Sequence, residues 1–142
     1  MNNSETDSVD LILGQFIKAH RQITYTQLAK LGLYPGQPPV LAALSRNDGC
    51  SQTELVNSLS VKPATITVTL QRMEKVGLLT CKSDVKDLRI SRVYITDKGK
   101  ELAIKVEETV KDIEKECFIG FTQEEKILLR RFLIQMRDNL RV

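Results

Sequence analysis

The sequence predicts a mainly α fold carrying one two-stranded β-hairpin near its middle, on three observations. Apolar residues recur at three- and four-residue steps through both ends of the chain, as amphipathic helices require. After Gly77 the pattern changes to two short β-rich runs separated by a charged loop. Two Ser/Thr-x-x-Glu boxes, Ser51 to Glu54 and Thr122 to Glu125, mark helix starts.

Val9, Ile12, Leu13, Phe16, Ile17, Ile23 and Leu28 place a first helix over about Asp7 to Lys30, stopped by Gly32 and Pro35-Gly36. Pro38 and Pro39 suit the start of a second helix, where backbone N–H groups lack helical partners, and Val40, Leu41 and Leu44 supply its buried face. Asn47-Asp48-Gly49 ends it. The Ser51 box opens a short third helix at Gln52, with Leu55, Val56 and Leu59 inward, which gives way at Ser60-Val61-Lys62. Pro63 is the expected first residue of a fourth helix running to a glycine stop at Gly77.

The strands are expected at Leu78 to Lys82 and Ile90 to Ile95, joined by the seven residues Ser83 to Arg89, four of them charged. Thr96 or Asp97 can cap the next helix, whose stripe is Leu102, Val106, Val110, Ile113 and Cys117. Thr122 opens a last helix carrying Ile127, Leu128, Phe132, Leu133, Met136 and Leu140.

A chain of 142 residues with 42% hydrophobic and 27% charged content is read as one soluble domain, residues 1–142, and no apolar run approaches the ~18 residues of a membrane span. The polar, acidic stretch Met1 to Asp10 lacks a basic n-region or apolar h-region, so a cytoplasmic location with no membrane contact is expected. Three widely spaced cysteines argue against a disulfide framework. One histidine and no Cys-x-x-Cys spacing leave zinc too few ligands, so neither metal nor cofactor is expected.

The net charge is +3, but Lys62 to Lys100 holds nine basic against four acidic residues, +5, leaving −2 for the remainder. A basic middle between weakly acidic flanks fits a surface facing a polyanion, and the alternative is a solvated charged face.

Helix, short turn, helix and charged hairpin together make a winged helix-turn-helix. The fourth helix would enter the major groove of DNA and the hairpin tip the minor groove. Ile66, Leu70 and Met73 line one side of that helix as core, leaving Ala64, Val68, Gln71 and Lys75 opposite, Thr65 and Arg72 flanking, and Thr67 near the first turn. Gln71 can pair with an adenine edge, Arg72 with guanine or phosphate, and Thr or Val methyls with thymine. Threonines are poor surface helix formers, so clustering Thr65, Thr67 and Thr69 needs a reason beyond facing water. Arg89 is the expected minor-groove side chain, with Lys82 and Lys86 nearer phosphates. An Asp87–Arg89 clasp that stiffens the hairpin is the competing reading, and a clasp could also aim the guanidinium.

Leu59-Ser-Val-Lys-Pro-Ala-Thr-Ile-Thr67, Arg72-Met-Glu-Lys-Val-Gly-Leu-Leu79, Asp87-Leu-Arg89 and Val93-Tyr-Ile-Thr-Asp-Lys-Gly99 together resemble the MarR family of bacterial transcription regulators, over about residues 37–101. The resemblance implies a homodimer whose N- and C-terminal helices interlock, with residues 37–100 as the DNA-binding lobe and residues 7–32 with 101–142 as the dimerisation lobe. It implies a double-stranded, pseudo-palindromic DNA operator, usually repression, and release when a small, often phenolic, effector or an oxidant acts between the lobes. Asp87 and Arg89 match the wing motif, and Pro63, Thr65, Thr67, Val68 and Arg72 fall on the recognition helix. Two positions depart from the family pattern: Val68 stands where a basic residue is common, and Cys81-Lys82 where an arginine often follows the first wing strand. Independently of the resemblance, the apolar stripes of three terminal helices exceed what the other elements can cover, which also predicts a dimer.

Residues 1–49 contain no cysteine, so sensing through a thiol near the chain start is not available. Cys50 precedes the Ser51 cap, where a helix dipole could favour a thiolate, while Cys81 and Cys117 read as small apolar residues. Phe16, His20 and Tyr34, with the Tyr25 region, are the candidate lining of a ligand cleft, against the alternative of a histidine on a helix surface or at the dimer contact. Two rival functions stand beside DNA-binding regulation: a winged-helix module that binds protein, and a thiol-based regulator acting through Cys50. An enzyme is disfavoured, because a nucleophile wants a nearby histidine and only His20 exists.

Overall fold

The computed structural model describes residues 8–141, so the helix start expected near Asp7 lies outside the described residues. The chain divides into two compact units, Met1–Val110 and Lys111–Val142. The elements run α1 (Val9–Ala29), α2 (Gln37–Arg46), α3 (Gln52–Leu59), α4 (Pro63–Lys75), β1 (Leu79–Ser83), β2 (Ser91–Ile95), α5 (Asp97–Cys117) and α6 (Gln123–Asn139).

Helix ends follow local side-chain chemistry. Ser8 caps α1 by accepting from the Leu11 N–H. Both capping boxes form: Ser51 and Glu54 on α3, Thr122 and Glu125 on α6, each satisfying two otherwise unpaired N–H groups. Between the alternatives at α5, Thr96 is the cap. Its hydroxyl oxygen accepts from the Gly99 N–H at 3.1 Å while its proton goes to the Gly77 carbonyl at 2.6 Å. The turn from α3 into α4 passes through Ser60 at φ 51, the only non-glycine with positive φ among the described residues.

The strands start one residue later than expected, for identifiable reasons. Gly77 at φ 80 ends α4 with its N–H on the Glu74 carbonyl, and the Leu78 N–H reaches back to Met73 at 3.0 Å. That pairing closes the helix and holds Leu78 out of the ladder, so β1 begins at Leu79. At the tip the Ile90 N–H bonds the Asp87 carbonyl, and β2 begins at Ser91. The strands pair antiparallel from Leu79 opposite Ile95 to Ser83 opposite Ser91.

The second edge of β2 is also occupied. Gly49 donates to the Val93 carbonyl and Val93 donates to the Cys50 carbonyl, both at 2.9 Å, with a bridge from Ser51 to Arg92. Asp48 Oδ1 accepts from the Ile95 N–H at 2.8 Å. The loop between α2 and α3 thus anchors the base of the hairpin.

The core of the first unit is built on Val40, Leu41, Leu44, Leu55, Leu70, Met73, Leu79 and Val93, all fully buried. α1 contributes only Leu28, and Val9, Ile12, Phe16 and Ile17 stay exposed. In the second unit Ile113 is buried, but α6 has no buried residue and leaves Ile127, Leu128, Phe132, Leu133 and Met136 open. Among the described residues, no helix is long and apolar enough to cross a membrane.

Candidate nucleic-acid interface

Helix α4 begins at Pro63, whose missing N–H costs nothing in the first turn. Ile66, Leu70 and Met73 are buried, and Pro63, Ala64, Thr65, Thr67, Val68, Gln71, Arg72 and Lys75 are all exposed. The polar face expected to read DNA is therefore not covered by its own chain.

Two threonines on this helix spend their hydroxyl protons within it. Thr67 and Thr69 donate their hydroxyl protons to the carbonyls of Pro63 and Thr65, each at 3.0 Å. Such bonds within the helix compete with donation to a base, so these positions offer mainly methyl groups and acceptor lone pairs. Thr67 also accepts from Gln52 Nε2 of α3 at 2.7 Å.

The wing carries a clasp and an exposed cation together. Arg89 Nε and Nη2 bond Asp87 Oδ1 and Oδ2 at 3.0 and 3.1 Å, and the Arg89 N–H adds a bond to Oδ1. The Arg89 side chain nevertheless remains 91% exposed. Both sequence readings of this pair are compatible with the geometry, because a bidentate carboxylate fixes the fork without burying it. Lys86 is exposed at the tip, and Lys82 lies on β1 with Nζ 5.9 Å from the centre of the Tyr94 ring.

Arg92 and Asp84 had no assigned role in the sequence beyond their charge. Arg92 donates through Nε to Asp84 Oδ1 at 2.9 Å and through Nη1 to the Gly49 carbonyl at 3.1 Å. Asp84 Oδ2 in turn accepts from the Asp87 N–H at 3.1 Å. This chain of bonds runs from the loop before α3, through the wing base, to the carboxylate that holds Arg89. Only the acidic and basic residues at either end of the tip hinted at it. A cleft of about 470 Å³ touched by Gln52, Thr53, Pro63, Arg89 and Arg92 joins the starts of α3 and α4 to the wing.

The Arg92 hydrogen bond holds the Asp84 carboxyl below its ordinary pKa, and the Arg89 hydrogen bonds do the same for Asp87. A carboxyl depressed by folding contributes stability above its unfolded value and loses it as pH falls through its folded value. The wing pairs are thus expected to persist down through about pH 4, the ordinary carboxylate range, and to break only below it. Backbone shifts of Asp87 and Arg89 followed by NMR during acidification check this. Changes centred within the ordinary carboxylate range, rather than below it, would mean the pairs do not form in solution.

Phe16, His20 and Tyr34 all line one apolar cleft of about 700 Å³, together with Thr24, Pro39 and Val106. The Phe16 and His20 rings lie 5.7 Å apart. Thr24 Oγ1 is buried without a hydrogen-bond partner. Tyr25 also lines this cleft, and no cysteine does.

The geometry at Cys50 runs against the alternative of a thiolate there. It is only 4% exposed, and burial, reinforced by the Glu54 carboxylate, raises its pKa above the ordinary thiol value. The carboxylate that completes the α3 cap therefore opposes the helix dipole. Cys81 is also pushed up, by burial and then by Glu74, whose carboxylate accepts from the Cys81 N–H. Cys81 and Cys117 are partly rather than fully buried.

A family model described as MarR family matches residues 31–90. The chain is 30% identical over 112 residues to the uncharacterized HTH-type transcriptional regulator YdgJ of Bacillus subtilis, covering 77% of this chain and 66% of that one. It is 29% identical over 103 residues to the HTH-type transcriptional repressor MdtR of the same organism, covering 71% and 64%. The matched stretch thus spans about two thirds of the length of these two curated relatives. The solved structure of a MarR protein from Peptoclostridium difficile superimposes with a TM-score of 0.80 at 31% identity, covering 99% of this chain and 92% of that one. With that relative matched over nearly its whole length at 31% identity, the chain belongs to the MarR family of winged helix-turn-helix transcription regulators.

Proposed function

We propose that this protein is a homodimeric transcriptional repressor that binds a pseudo-palindromic DNA operator and releases it on binding a small effector. The observation that carries the reading is the uncovered Ala64, Thr65, Val68, Gln71 and Arg72 face of α4, backed by its buried side and flanked by the exposed Arg89. A donor-rich helix face beside a basic hairpin suits base edges in one groove and a guanidinium in the next. Lys82 and Lys86 neutralise phosphates. Residues 37–100 form the DNA-binding lobe, and residues 7–32 and 101–142 supply the dimer contacts.

Dimer formation is supported by α1 and α6, whose apolar residues their own chain leaves largely exposed. Two-fold pairing would cover them and set two recognition helices one helical turn of DNA apart. The apolar cleft supports an effector with a ring for Phe16, His20 and Tyr34 and a polar group for Thr24 Oγ1. A cytoplasmic location fits this role.

Binding to the duplex flanking its own gene, titrated across salt, tests the reading. A dimer touching about six to ten phosphates loses about 10³- to 10⁵-fold in affinity between roughly 50 and 200 mM salt. Two chains per duplex by sedimentation are expected. Absence of binding at low salt would reject the proposal. If Lys86→Glu with Arg89→Glu left DNA affinity intact and abolished capture of a protein partner, the protein-binding module would replace it.

A further inference from the structure

We propose that Gln52, on α3 rather than on the recognition helix, reads an adenine edge in the operator, with Thr67 as the residue that positions it. The inference rests on the DNA-binding reading above and adds a specificity-determining residue that the recognition-helix pattern does not contain.

The Thr67 hydroxyl has one proton and donates it to the Pro63 carbonyl at 3.0 Å. Toward any other group Thr67 can then only accept. The Gln52 amide lies 2.7 Å away, so the group it turns to Thr67 must be its NH₂. This hydrogen-bond accounting settles which way the amide points, a choice that atom positions alone leave open. Among the described residues Gln52 Oε1 has no intramolecular donor, and one Nε2 proton remains uncommitted.

A fixed amide with a free acceptor and a free donor matches the N6 donor and N7 acceptor of adenine, the pairing to which glutamine is suited in the major groove. Its location fits that partner. Thr67 is the fifth residue of α4, within the N-terminal part of a recognition helix that meets base edges, and Gln52 lines the cleft between that helix and the wing. Holding the amide on Thr67 before DNA arrives removes rotamer freedom that a loose glutamine would lose on binding. Thr67 thus acts through Gln52, its own proton being spent, and contributes its methyl directly.

Selection from randomised duplexes, followed by affinity measurements on the selected and a scrambled duplex, tests this. The wild-type protein should select a defined sequence. Gln52→Ala should lose about 5- to 150-fold of preference at one or two adjacent positions, the scale of one bidentate base contact, with unchanged affinity for scrambled DNA. Thr67→Val keeps shape but removes the acceptor, and should weaken preference at those same positions, with little further loss when combined with Gln52→Ala. Thr67→Ser should retain it. Unaltered melting midpoints establish that the variants fold. An unchanged selection profile for Gln52→Ala overturns the inference, as does uniform weakening on all sequences, which would place the amide on a phosphate. Failure of the wild-type protein to select any sequence would sink the DNA-binding reading itself.

Discussion

Arg89→Ala is expected to weaken operator binding by about 1–3 kcal/mol, roughly 5- to 150-fold, while leaving the melting midpoint of the free protein nearly unchanged. The asymmetry follows from where the side chain sits. At 91% exposure it buries no apolar stem, and an exposed ion pair adds little to stability. In the complex the loss is twofold in kind. The minor groove loses its guanidinium, and Asp87 loses the cation that offsets its charge, leaving a bare carboxylate among phosphates. Arg89→Lys is expected to keep most of the salt dependence yet fall short in affinity, because an ammonium cannot hold both carboxylate oxygens and still present a planar donor. Fluorescence anisotropy on the operator and a scrambled duplex separates these effects. Equal affinity of Arg89→Ala and wild type would reduce the pair to a brace within the hairpin.

Gly99→Ala is expected to destabilise the fold by about 1–3 kcal/mol, the usual scale of a clash in a packed interior. A methyl at this position would fall on the Leu78 carbonyl oxygen and lie 2.7 Å from Ile95 Cγ1. The Leu78 carbonyl has little room to retreat. It accepts from the Thr96 N–H at 3.1 Å, and the Leu78 N–H closes α4 through Met73. The clash is with backbone on which a helix end and a helix start both depend, so relief by a rotamer change is not open. Chemical denaturation should show a lower midpoint at unchanged slope. Unaltered stability would mean that α5 starts further from Leu78 than described. This also supplies the physical content of the Thr-x-x-Gly helix start: Thr96 provides the cap and Gly99 the close approach.

The recognition-helix face was legible because Ile66, Leu70 and Met73 follow helical spacing, and residues opposite an apolar stripe are exposed whatever the neighbours are. The three residues expected to line a ligand cleft also came together, since α1 and the loop before α2 are adjacent in sequence. Gln52 was not legible. At the first helical position after a capping serine it reads as a helix former, and its partner is 15 residues away. Arg92 was hidden in the same way, since its carbonyl partner at Gly49 is 43 residues distant. The thiolate alternative at Cys50 stays open on the sequence because the dipole of α3 is visible there, whereas the burial and the Glu54 charge that oppose it are not.

Helix order, the two capping boxes, the Pro63 start, the hairpin and the buried side of α4 were set within a few residues of where each occurs. Their causes are side chains reaching three or four positions along the backbone and apolar residues repeating with the helical turn, both local properties of the chain. Folding in three dimensions alone fixed the pairing of residues 49–51 with the second edge of β2, the Arg92 tie into the wing, the Gln52–Thr67 bond and the protonation preference of Cys50. Each of these depends on groups far apart in sequence whose meeting is decided by packing, and pairs of that kind leave no periodic trace to read.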